Sequence, residues 1–201
     1  MIRLEPDFLP PGRQGLSDAE VGEFARLLKH GRPVEKQRAL LKLIAAGAES
    51  ALVECLRARD PITVQFATDG LWECWLNEKG RKARQEMEKG IKLMEAGGLG
   101  EAFEVFQSLA KAHPDWIEAI NKQATVLYLQ TRLEESLNLC RQVVERKPHH
   151  FGAWSGMALC AVRLEDWKTA LTAASQALRL QPRGETNREI VKLARTKLGT
   201  A

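Results

Sequence analysis

The chain lacks any apolar run long enough to cross a bilayer, and residues 1–16 lack the apolar core of a signal peptide. The expectation is a chain without a membrane span in a soluble, reducing compartment. That compartment would be the cytoplasm, or an organelle matrix or stroma if a targeting segment has been removed. Cys55, Cys74, Cys140 and Cys160 show no Cys-x-x-Cys spacing. Cys55 and Cys74 fall in apolar helical patterns, so they read as packed free thiols. There is no Gly-x-Ser-x-Gly, no His-Glu-x-x-His and no phosphate-cradling loop. Gly97, Gly98 and Gly100 cluster without the preceding strand that a dinucleotide loop requires. Nothing alternates with period two over a strand length, so no sheet is expected. These absences argue against an enzyme, with no catalytic residue, no metal site and no cofactor expected.

Charge is present in ordinary amount but unevenly placed. The net charge is +4, with 44% hydrophobic and 28% charged residues. Residues 1–80 carry 11 basic and 12 acidic side chains, and residues 81–201 carry 19 and 14. The second part is therefore basic by +5, spread thinly over several predicted helices. Nucleic-acid binding needs a denser stripe than this. It remains the alternative function, using Arg141, Arg146, Lys147, Arg179, Arg183 and the basic last helix.

What the chain does have is a period. Pro114, Pro148 and Pro182 are each separated by 34 residues. Small residues recur at the same interval as Gly90, Ala124 and Ala158, and as Ala102, Ser136 and Ala170. Bulky apolar residues do so as Leu99, Leu133 and Trp167, and as Phe103, Leu137 and Leu171. A fixed period in this range marks a repeat array in which each unit buries its apolar face against its neighbours. The small residues let paired helices approach closely, and each proline stops the second helix of its unit.

These residues resemble the tetratricopeptide repeat, a helix–turn–helix unit, over residues 83–184. The third unit (Trp154, Ala158, Ala170, Ala177, Pro182) matches best. The second (Ala124, Leu127, Tyr128, Ser136, Pro148) matches well, and Cys140 takes a core place equivalent to Phe106 and Ala174. The first keeps Gly90, Leu93, Ala102, Phe106 and Pro114, but has Glu86 where an apolar residue is usual. The implied fold is all-α: a right-handed α-solenoid of three units, 83–116, 117–150 and 151–184, with a capping helix at 185–199.

The resemblance also implies a groove lined by the first helix of each unit. Its residues would be Arg84, Met87, Ile91, Met94 and Glu95, then Glu118, Asn121, Thr125, Tyr128 and Leu129. The third unit would add Gly152, Ser155, Leu159, Val162 and Arg163. One subset of the family holds acidic chaperone C-termini through cations at such positions. Here the matching places hold Met87, Ile91, Lys122, Gly152 and Gly156, so a carboxylate clamp is disfavoured. The implied partner is an amphipathic or apolar protein segment, held by a non-catalytic adaptor, scaffold or assembly factor. A permanent structural subunit of a larger complex is equally compatible.

Ahead of the array, residues 1–16 read as an extended Pro/Gly-rich arm. Residues 17–80 read as four helices, opened by a Ser17–Glu20 capping box, by Pro33 and by Asp60-Pro61. They loosely resemble HEAT-type hairpins, with an unclassified four-helix cap as the open alternative. His149-His150 reads as turn surface, and His30 and His113 as helix-end cations. Trp72, Trp75, Trp154 and Trp167 fit apolar stripes or their edges. Trp116 stands in a turn and leaves two readings open, packing between repeats or an exposed contact for a partner.

Overall fold

The computed structural model describes residues 15–200, so most of the expected arm lies outside the described residues. Those residues form eleven α-helices and no strand. They divide into two compact units between Gly80 and Arg81.

The first unit holds α1 (Asp18–His30), α2 (Pro33–Ala46), α3 (Glu49–Cys55) and α4 (Pro61–Leu76). The helix starts follow the local chemistry. Glu20 accepts from the Ser17 amide at 2.8 Å while its own amide donates back to the Ser17 hydroxyl at 3.3 Å. Asp60 accepts from the amides of Ile62 and Thr63, both at 3.2 Å. Leu28, Leu40, Leu43, Leu52, Leu56, Leu71 and Trp75 make the core. Gly70 admits Leu40 there, since a Cβ at that position would lie 2.7 Å from its Cδ1. Lys36 is buried and satisfied by Asp60 Oδ2 and Thr63 Oγ1, both at 2.6 Å. Its ammonium holds the Asp60 carboxyl well below the usual range.

The second unit is built from helical hairpins: α5 (Gly80–Glu95) with α6 (Leu99–Ala112), α7 (Ile117–Leu129) with α8 (Leu133–Arg146), and α9 (Phe151–Arg163) with α10 (Trp167–Leu180). A single helix, α11 (Glu185–Leu198), follows. The small residues sit where helices cross. Ala102, Ala124, Ala158 and Ala170 are buried, and a Cβ on Gly90 would come within 2.5 Å of the Phe106 ring. Each proline occupies a turn closed by one bond, from the amides of Trp116, His150 and Gly184 to the carbonyls of His113, Lys147 and Gln181. All four cysteines are buried and none of them forms a disulfide. Burial pushes the Cys140 thiol up to about 12.

The turn inside each hairpin also repeats. Gly97, Thr131 and Glu165, spaced by 34, all adopt left-handed backbone with φ of 84°, 61° and 57°. Glycine carries no steric penalty there, but a β-branched threonine does. Thr131→Gly should therefore stabilise the protein by about 1 kcal/mol, read as a raised denaturant midpoint with unchanged slope. A midpoint at or below that of the parent would show that the threonine side chain more than repays its strain.

Candidate functional site

Within the second unit, the first helix of each hairpin and α11 follow one another at 34-residue spacing in the sequence. Neighbours α7, α9 and α11 touch in sequence order. Four rows of side chains run across these helices: Met87, Asn121, Ser155, Glu189; Ile91, Thr125, Leu159, Leu193; Met94, Tyr128, Val162, Thr196; and Glu95, Leu129, Arg163, Lys197. Ile91, Met94, Thr125, Tyr128, Ser155, Leu159 and Val162 are each partly exposed. Leu129 and Leu193 are more open, at 47% and 40%.

Four of the residues placed on the groove or surface by the sequence are not surface residues: Met87, Glu118, Asn121 and Trp116. Met87 is fully buried in the core, because α5 turns that face inward. Asn121 is 6% exposed and donates to the Glu118 carboxylate at 3.3 Å. Trp116 is completely buried beside the α7 start, its ring edge-on to His113 at a 6.0 Å centroid distance. It packs, so it offers no contact to a partner.

Sequence reasoning also misplaced His150, which is fully buried rather than on a turn surface. It is the N-cap of α9, and its Nδ1 accepts from the Ala153 amide at 3.0 Å. That leaves Nε2 to carry the proton and donate to Glu118 Oε2 at 2.9 Å. Lys122 pairs with the other oxygen of the same carboxylate at 3.2 Å. Burial by itself would push the Glu118 carboxyl up, but Lys122 and the His150 hydrogen bond hold it below its ordinary value. The one cation at a clamp-like place is therefore turned inward to a buried anion. The legible signal for this network was Glu118, Asn121 and Lys122 at i, i+3 and i+4 on one helix face. The legible signal for Leu193 was its place 34 residues after Leu159.

Further bonds join successive repeats. Arg146 donates to the Pro114 carbonyl at 2.7 Å, and Asn187 Nδ2 donates to Ser155 Oγ at 2.9 Å. The Arg163 guanidinium lies 5.3 Å from the centre of the Tyr128 ring. Among the described residues, no group of three His, Cys, Asp or Glu side chains could hold a metal ion. No helix of these residues is long and apolar enough to cross a membrane.

Stacked helical hairpins of fixed length, with a small residue at each crossing, define the class as an α-helical repeat protein. No protein-family model matches the chain. It is 25% identical over 142 residues to a TPR repeat-containing protein of Rhizobium etli, covering 71% of this chain and 70% of that one. The first TPR domain of Spaghetti (RPAP3), solved with an HSP90 peptide, matches 59% of this chain and 94% of its own. Its TM-score is 0.57 at 19% identity. MamA from Desulfovibrio magneticus matches 92% of this chain and 89% of its own, with a TM-score of 0.54 at 18% identity. In sequence and in fold the chain is similar to tetratricopeptide repeat proteins.

Proposed function

We propose that this protein is a non-catalytic adaptor or assembly factor that holds a segment of another protein against the first helices of its repeats. Residues 81–201 form the binding domain, a right-handed solenoid of three units (83–116, 117–150, 151–184) with 185–199 as cap. Residues 17–80 form a separate HEAT-like helical segment. The observation that carries this reading is the pair Leu129 and Leu193. Among the described residues they are the large apolar side chains of the second unit that stand well exposed. Leu193 falls in the row that also holds Ile91 and Leu159, and Leu129 lies one helical turn after Thr125 of that row, so the exposure is concentrated on one face.

Apolar contact supplies most of the affinity, because Lys122 is already engaged by Glu118. This favours an amphipathic or apolar segment over a C-terminal carboxylate. TPR proteins generally mediate protein–protein contacts, and the HSP90 peptide on the RPAP3 domain is an instance in that neighbour.

The test is affinity capture with the full chain against Met94→Glu, Leu129→Glu and Tyr128→Ala, with retained proteins identified by mass spectrometry. Each substitution should remove the same partner and weaken binding at least about tenfold, while the melting temperature stays nearly unchanged. Normal retention by all three would place the contact surface elsewhere.

A further inference from the structure

The row at the carboxyl ends of these helices reads Glu95, Leu129, Arg163, Lys197, each 34 residues from the next. Charge thus changes sign along one edge of the face: an acid at α5, an apolar side chain at α7, and cations at α9 and α11. All four side chains are exposed. Among the described residues neither cation is paired with a carboxylate, and both are held in place by aromatic rings. Arg163 lies over Tyr128 at 5.3 Å and reaches its carbonyl at 3.5 Å, and Lys197 lies over Trp167 at 5.5 Å. The helix dipole favours cations at these ends, but it disfavours Glu95, which occupies the same place on α5. The dipole therefore does not explain the order.

We propose that the segment held by this face, on the groove reading above, is amphipathic and carries its acidic side chains at one end. That end lies over α9 and α11, where Arg163 and Lys197 meet it. Its apolar face lies on Leu129, Leu159 and Leu193, and its far end, over Glu95, is neutral or basic. From Leu129 to Lys197 is two helix-to-helix steps, about 20 Å at 8–10 Å each, the length of about 13 helical residues. Charges so placed fix the direction of the segment and speed its capture, while the leucines supply most of the hold.

The test uses the full chain and a phage-displayed library of random linear peptides of about 16 residues. Clones are sorted by whether Leu129→Glu abolishes their capture. The expected Leu129-dependent clones carry acidic residues clustered at one end of an apolar stretch. Their binding at low salt should fall about tenfold on combining Arg163→Gln with Lys197→Gln, and the loss should shrink at high salt. Replacing the peptide's acids by lysine should restore binding to Arg163→Glu combined with Lys197→Glu. Circular dichroism melts on each variant separate lost binding from lost folding. Leu129-dependent clones without an acidic end would overturn this inference and leave the groove reading standing. An absence of Leu129-dependent clones would overturn both. A dimer of the chain itself that Leu193→Glu dissociates in sedimentation would make a second copy the occupant, and would also overturn the proposal.

Discussion

His150→Ala is expected to lower the unfolding free energy by about 2–5 kcal/mol, the cost of leaving a buried carboxylate short of a hydrogen bond together with the loss of a helix cap. The substitution strips the Nε2 bond from Glu118, a carboxylate with no exposed surface, and removes the side-chain cap of α9. Denaturant unfolding measures it, and a loss near zero would mean that water replaces the imidazole without penalty. Glu118→Gln adds a pH signature. The folded value of the Glu118 carboxyl lies below its ordinary 4.5, so the unfolded chain binds more protons across that interval. The stability that Glu118 contributes is then complete above the ordinary value and is lost as pH falls through the folded one. In Glu118→Gln the fall of stability across this acid window should be shallower than in the parent.

The second large effect belongs to Trp116. Trp116→Ala should cost about 3–5 kcal/mol, because an indole with no exposed surface leaves a cavity that its neighbours can only partly close. Trp116→Phe should recover part of the loss by retaining an aromatic ring beside His113. A cost below about 1 kcal/mol would be the behaviour of a surface residue and would contradict the burial. The same variant should leave capture of a groove-bound segment intact at temperatures where it is folded, since Trp116 does not reach the surface.

Trp116 and His150 show where periodicity stops being informative. They occupy the same place in successive repeats, followed by Gly184 in the third, and all three begin a helix. A place filled by tryptophan, histidine and glycine has no shared chemistry that spacing alone could recognise. Only packing reveals that the first is core, the second is the cap of α9 bonded back to Glu118 on α7, and the third presents no side chain. Met87 and Asn121 were misassigned to the binding face for a related reason. A helical face is defined to within about a residue, and the depth to which a neighbouring helix covers it depends on the side chains of both.

By itself the sequence determined the all-α architecture, the 34-residue step of the array, the prolines that end each unit and the capping box at Ser17. These follow from local rules: proline cannot continue a helix, glycine and alanine permit close crossings, and a hydroxyl with a carboxylate three residues on satisfies free amides. Tertiary structure alone decided that His150 reaches back to Glu118, that the carboxylate it shares with Lys122 is buried, and that Leu129 and Leu193 remain open. The first joins residues 32 apart in the chain, and the others depend on which side chains a neighbouring helix happens to cover. Local sequence rules carry no information about either.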